Sequence, residues 1–190
     1  MESKNIMIVG VGGQGTLLAS KLLGRILLEN GYDVKVSEVH GMSQRGGSVV
    51  TYVRCGDKVY SPIIDKGEAD IIVSFELLEA ARWAEYLKEG GILLTNTQKI
   101  NPMPVITGAA EYPKALEQKL AALPIRLDAM DALGLALQAG SAKAVNLVLL
   151  GRLSRYFHFT DEQWQDAIEK SVPAKFLELN KKAFALGKEA

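Results

Sequence analysis

Two glycine-bearing segments of this 190-residue chain hold the residue types that could do chemistry. The first, Gly10-Val-Gly12-Gly13-Gln14-Gly15, fits the spacing G-x-G-x-x-G and is followed by Thr16. It comes after the apolar run Ile6–Val9 and before a helical pattern. In that setting glycines let the chain turn sharply, and the unpaired N–H groups at the helix start favour a phosphate or carboxylate. Gly10, Gly12, Gly13 and Gly15 are therefore candidate backbone contacts, and Gln14 and Thr16 could add side-chain hydrogen bonds. The competing reading is tight strand-to-helix packing without a ligand. The second segment, Glu38-Val-His40-Gly-Met42-Ser43-Gln44-Arg45-Gly46-Gly47, concentrates an imidazole, a hydroxyl, an amide and a guanidinium on a glycine-rich backbone. Arg45 offers a planar fork to a carboxylate or phosphate, and His40 can exchange a proton near neutral pH. Taken singly, Arg45 reads as the partner of Glu38 or another acid and His40 as satisfying a buried carbonyl; taken together they read as a functional loop.

Elements must position these segments. Asn5–Val9 has the apolar character of a buried strand, Thr16–Asn30 shows polar residues every fourth position as in a helix stopped at Gly31, and Asp33–Val39 alternates as a second strand. Ser48–Arg54 reads as a strand, Gly56-Asp57 as a turn and Lys58–Ser61 as a return strand, so a hairpin stands where a crossover helix would be expected. The α/β rhythm resumes with a strand at Ala69–Phe75, a helix at Glu76–Lys88 stopped by Gly90-Gly91, and a strand at Ile92–Thr95. A short strand at Val105–Thr107, a helix at Lys114–Leu123 and an edge or late strand at Ile125–Asp128 follow. The rest is helical: Ser141 caps a helix to about Phe157, Thr160–Gln163 has capping-box spacing, and a last helix over about 174–186 stops at Gly187. These elements predict one domain, 1–190, with an α/β, Rossmann-like three-layer sandwich. Its sheet is mostly parallel, with a β-hairpin after strand 2 and a helical C-terminal region.

Composition narrows the chemistry. Basic and acidic residues balance at 22 each and 48% of residues are apolar, so no broad basic field marks nucleic acid or an anionic membrane as a partner. The single cysteine, Cys55, cannot form an internal disulfide or supply a four-cysteine cluster or zinc site. No metal ligands and no catalytic residue are assigned. The apolar stretch 130–150 is interrupted by Asp131, Gln138, Lys143 and Asn146, which suits buried helices rather than a membrane span, and the cytoplasm is the expected location. Among single residues, Asn146 reads as a buried amide bonded to backbone or to the loop region, Trp83 and Trp164 as core or interface anchors, Cys55 as an incidental thiol and His158 as packing. Glu38 lies roughly 20 residues past the glycine loop, about where an acid meets the ribose of a dinucleotide.

The glycine loop followed by Glu38-Val-His-Gly-Met-Ser-Gln-Arg-Gly-Gly47-Ser-Val resembles the gamma domain of the 2-oxoacid (pyruvate/ketoisovalerate):ferredoxin oxidoreductases, nearest to the small beta subunit of the indolepyruvate branch. The likeness runs through the chain, including Asn146 in its apolar helix and the closing segment Leu179–Gly187. It implies a Rossmann-like domain working beside a large alpha subunit that carries thiamine diphosphate, magnesium and 4Fe-4S clusters, decarboxylates an aryl 2-oxoacid to an acyl-CoA and passes electrons to ferredoxin. It also implies that the glycine loop and the His40–Gly47 loop lie toward that subunit, where coenzyme A or the oxoacid would be held. The chain would then be inactive alone. A free-standing NAD-type protein and a non-catalytic ligand-sensing module remain open, as do self-association of the isolated chain and the identity of the oxoacid.

Overall fold

The computed structural model describes residues 3–38 and 46–190. Strand β1 (Lys4–Val11) occupies the middle of the sheet because its segment Ile6-Met7-Ile8-Val9 has no exposed surface at any of the four positions. A strand apolar on both faces must be covered on both, and here Ile6 and Ile8 enter one core while Met7 and Val9 enter the other. Around it stand β2 (Asp33–Glu38), β3 (Ser48–Gly56), β4 (Ala69–Ser74), β5 (Leu87–Asn96) and β6 (Arg126–Met130), in the order β2-β3-β1-β4-β5-β6. β1, β4, β5 and β6 are mutually parallel, and β3 runs antiparallel to both β1 and β2.

Helices α1 (Thr16–Glu29), α5 (Ala132–Ala139), α6 (Val145–Ser154), α7 (Asp161–Ser171) and α8 (Leu177–Glu189) cover the Ile6/Ile8 face. Helices α2 (Leu77–Trp83) and α4 (Leu116–Ala121) cover the Met7/Val9 face. This is the expected three-layer α/β arrangement with a mostly parallel sheet.

The hairpin is formed differently from the sequence expectation. β2 and β3 are its two strands, in register from Asp33 opposite Gly56 to Glu38 opposite Thr51, while Lys58–Ser61 forms no strand. β3 lies between β2 and β1, so both of its edges are already paired and no edge remains for a return strand. Instead the Val59 N–H donates to Asp33 (2.8 Å), which folds the segment over the start of β2.

Other boundaries moved for local reasons. α2 ends at Trp83, and a 3-10 turn at Ala84–Tyr86 leads into β5 at Leu87, so Lys88 and Gly90-Gly91 belong to the strand rather than to a helix stop. The expected strand at Val105–Thr107 is instead helix α3 (Met103–Ile106), a single exposed turn with Pro104 in its first positions, where a missing N–H costs nothing. The helix capped by Ser141 begins as a 3-10 turn and ends at Ser154, short of Phe157. α8 runs through Gly187 to Glu189. Gly187 does not stop it, because a Cβ there would collide with the Val148 carbonyl on α6; the glycine lets two helix backbones touch. The capping box at Thr160 and Gln163 is present. Trp164 is buried in the core, whereas His158 is exposed beside the stacked rings of Phe157 and Phe159 and does not pack as expected. Among the described residues no helix is long and apolar enough to cross a membrane.

β6 is tied to α6 by Asp128, which receives both its oxygens' hydrogen bonds from Arg152 Nε (2.8 and 3.1 Å) and one from the Tyr156 hydroxyl (2.6 Å). Burial pushes the Asp128 carboxyl up, but the bonds from Arg152 and Tyr156 and the guanidinium charge outweigh it and hold its pKa below the usual value of 3.8. Burial and the bond to Asp128 push the Tyr156 hydroxyl up to about 12. The carboxylate therefore contributes stability that is present above its unfolded value and lost as pH falls through the lower folded one; the tyrosine contribution is lost as pH rises toward 12. Replacing Asp128 with Asn should lower the unfolding free energy at pH 7 by about 1–3 kcal/mol, the scale of hydrogen bonds to a charged group that is partly buried. Denaturant titrations at pH 7 and pH 3 test this, with the difference between parent and variant shrinking at the lower pH.

Candidate functional site

The glycine loop lies at the carboxyl end of β1, where the strand order puts β3 on one side and β4 on the other. Connections leave β1 and β4 toward opposite faces of the sheet, and the crevice beyond their carboxyl ends is where open α/β sheets receive ligands. Gly15 is the N-cap of α1 with φ 89°, a left-handed conformation that suits glycine, and Gly13 has φ 101°. Three contacts brace the loop. Gln14 turns inward, accepting from the Val11 N–H (2.8 Å) and donating to the Phe75 carbonyl (3.1 Å). Asn146, 4% exposed, donates to the Gly15 carbonyl (3.4 Å) and accepts from the Leu147 N–H (2.9 Å). The Gly12 N–H donates to the Gly47 carbonyl (2.8 Å).

These contacts sort the expected binding residues. Gly12 has spent its N–H inside the fold, and Gln14 has one amide N–H and its carbonyl oxygen engaged there, so both serve to brace the loop. Gly10 is a packing position, since a Cβ there would lie 2.9 Å from Phe75 Cβ. The N–H groups of Gly13, Gly15, Thr16 and Leu17 have no partner among the described residues. Gly46 is exposed with φ 88°. His40, Met42, Ser43, Gln44 and Arg45 lie outside the described residues.

Two clefts flank the loop. One, of about 310 Å³, is lined by Gly12, Gly13, Gly15, Thr16, Leu17, Glu38 and Val49–Thr51. Glu38 thus does stand beside the glycines, as the dinucleotide spacing predicts, and it accepts a bond from the Ser20 hydroxyl (2.8 Å). The other, of about 490 Å³, is lined by Gly13, Gln14, Gly15, Gln98, Ile100, Leu133, Ala142, Lys143 and Val145. Its one cationic side chain is Lys143, exposed and without an ion-pair partner among the described residues. A carboxylate lines the first cleft and an ammonium the second, so an anion held by the loop is favoured on the second side. Lys143 and Gln98 escaped the sequence reading because they lie far from the glycines in the chain and carry no motif. A larger groove of about 780 Å³ follows the outer side of α1 past Lys21, Arg25 and Val36 and shares only Glu38 with the clefts at the loop.

The crevice wall is built around Glu76, which is 1% exposed at the carboxyl end of β4. It caps α2 through the Glu79 N–H (2.8 Å) and accepts from the Ile100 N–H (3.0 Å) and the Tyr112 hydroxyl (2.6 Å). Burial, and then the bond to Glu76, push the Tyr112 hydroxyl well above the ordinary phenol range. Nearby, Asn96 donates to the same Phe75 carbonyl that Gln14 uses (3.1 Å). Cys55 is buried away from the loop with its thiol 3.7 Å from the Lys4 carbonyl. No group of three or more His, Cys, Asp or Glu side chains among the described residues is placed to hold a metal. The arrangement can bind and orient an anionic group; it offers no cluster ligands.

Residues 5–190 match the family described as pyruvate ferredoxin/flavodoxin oxidoreductase. The chain is 46% identical to the indolepyruvate oxidoreductase subunit IorB of Thermococcus kodakarensis, over 100% of its own length and 96% of the relative's. It is 28% identical to the pyruvate/ketoisovalerate oxidoreductases common subunit gamma of the same organism, over 92% of this chain and 89% of that one. Among solved structures, pyruvate oxidoreductase subunit PORC of Thermotoga maritima superposes with a TM-score of 0.76 at 26% identity, covering 100% of this chain and 97% of that one.

Replacing Asn146 with Leu removes the bond to the Gly15 carbonyl while keeping the side chain's size. The Gly15 carbonyl keeps its bonds from the Leu18 and Ala19 N–H groups (3.2 and 3.3 Å), so the variant should destabilise the chain by about 1 kcal/mol, the net worth of one hydrogen bond, as read from denaturant midpoints.

Proposed function

The chain belongs to the pyruvate ferredoxin/flavodoxin oxidoreductase family, and from that premise we propose that it is the accessory beta subunit of an indolepyruvate:ferredoxin oxidoreductase, residues 1–190 acting as one gamma-type domain. The observation that carries this reading is the 46% identity to an indolepyruvate oxidoreductase subunit along the whole of both chains. The complex would oxidatively decarboxylate aryl 2-oxoacids to acyl-CoA and pass the electrons to ferredoxin. Thiamine diphosphate, magnesium and 4Fe-4S clusters are assigned to the large alpha subunit. The donor set of this chain fits that division, because a single buried cysteine cannot ligate a cluster.

The contribution of this chain is to hold coenzyme A. The N–H groups of Gly13, Gly15, Thr16 and Leu17 stand at the helix start, where the dipole favours phosphate, and Lys143 supplies charge across the cleft. Arg45 is assigned a second positive contact, with His40, Met42, Ser43, Gln44 and Gly46 on the approach to the partner's active site. Cytoplasmic location goes with ferredoxin as the acceptor.

The test is co-expression with the large subunit, purification through a tag on this chain, and assay of oxoacid- and coenzyme-A-dependent reduction of an artificial acceptor. A brown complex that prefers aryl over alkyl oxoacids is expected. A colourless chain that elutes alone and binds a dinucleotide would contradict the proposal. In the assembled complex, Lys143→Glu should raise the KM for coenzyme A by about fivefold or more, the scale of an exposed charge contact reversed in sign, and leave the oxoacid KM unchanged.

A further inference from the structure

Glu79 lies on α2, on the face of the sheet opposite α1, yet its carboxylate reaches the base of the glycine loop. It is 5% exposed. One oxygen accepts from the Ser48 hydroxyl and from the Trp83 indole N–H (3.3 Å), and the other accepts from Arg82 Nε (3.2 Å). The same indole N–H also lies 3.4 Å from Ser48 Oγ, so the serine is held by two side chains of α2. Ser48 is the first residue of β3 and sits opposite Val11, the last residue of β1. The residue before it, Gly47, supplies the carbonyl that takes the Gly12 N–H (2.8 Å). Glu79, Ser48, Gly47 and Gly12 thus form one line of contacts from α2 to the turn of the glycine loop.

Stability alone is a poor reason for this carboxylate. Among the described residues its one cationic neighbour, Arg82, is half exposed, and two of the three donors it meets there, Ser48 and Trp83, are neutral. Burying a carboxylate so is costly, and an apolar side chain of similar volume would commonly serve the core as well. What an apolar side chain could not do is fix a serine hydroxyl at a strand's first residue.

From this line of contacts we infer that Glu79 is a positioning residue for the anion site: by holding Ser48 it places the Gly47 carbonyl, which removes the Gly12 N–H from the crevice and sets the turn that leaves the Gly13 and Gly15 N–H groups facing it. The inference rests on the reading of the glycine loop as the coenzyme A site.

The experiment uses the assembled complex carrying Glu79→Ala, Glu79→Gln or Ser48→Ala, with Gly13→Asp as the reference that places a negative charge at the loop. Glu79→Ala and Ser48→Ala should each raise the KM for coenzyme A about tenfold with kcat and the oxoacid KM within about twofold, the scale of a lost charge-assisted hydrogen bond. Glu79→Gln retains an acceptor for Ser48 and Trp83 and should recover most of the parent value, which a purely electrostatic role would not allow. The double variant Glu79→Ala/Ser48→Ala should be no worse than either single one, since both cut the same line. Amide exchange in the full-length chain supplies a readout apart from activity: the Gly12 N–H should exchange faster in Glu79→Ala while those of Ile8 and Val9 do not change. If Gly13→Asp raises the coenzyme A KM and Glu79→Ala alters neither that KM nor Gly12 exchange, the positioning role is wrong and the site stands. If Gly13→Asp has no effect, the coenzyme A reading fails and the inference falls with it.

Discussion

An anion-binding loop has to leave backbone N–H groups unpaired and still keep one conformation, and these demands conflict, because unpaired backbone ordinarily finds a partner by moving. Here the conflict is met by bracing the loop from atoms other than its outward donors. Gln14 closes on Val11 and Phe75, Asn146 reaches the Gly15 carbonyl from α6, and the Gly47 carbonyl takes the Gly12 N–H. With these in place, the donors of Gly13, Gly15, Thr16 and Leu17 are left at the start of α1.

The brace from Gly47 exists only because β3 is inserted, reversed, between β2 and β1. A parallel β2 packed directly on β1 would set its own last residue, Glu38, beside Val11 in place of the start of a strand and the residue that leads into it. Antiparallel pairing puts the first residue of β3 beside the last residue of β1, Ser48 against Val11, and so delivers the foot of the preceding loop to the glycines. The same insertion uses both edges of β3, which is why the chain after Gly56 crosses over toward β4 without forming another strand. Sheet order, loop geometry and the candidate site are one constraint seen at three scales.

Much of this was legible in the sequence where periodicity or capping chemistry speaks locally. The doubly buried β1, the helix from Thr16, the strand at Ala69, the edge strand near Arg126 and the Thr160 capping box all follow from short-range patterns. What was not legible depended on neighbours distant in the chain. Gly56-Asp57 carries the residues of a turn, but whether Lys58–Ser61 forms a strand is decided by the availability of an edge. Gly187 looks like a helix stop until α6 is packed against it. Gln14 reads as a ligand donor from its place in the motif, and that it also braces the loop shows only once Phe75 is beside it. Val105 reads as a strand residue, yet Pro104 and the lack of a sheet partner leave it in a helical turn. In the site, the glycines announced themselves, whereas Lys143, Gln98, Glu76 and Glu79 were brought there by topology.

On the proposed reading this chain orients an anion while the electron-carrying groups reside in the partner subunit. The most direct measurement is hydrogen–deuterium exchange of the reconstituted complex with and without coenzyme A, resolved along this chain. Coenzyme A on the loop should slow exchange in 13–18 and in 142–146, on the two walls of the cleft, and leave α7 unchanged. Protection confined to the large subunit, with 13–18 unaffected, would contradict a coenzyme A site on this chain.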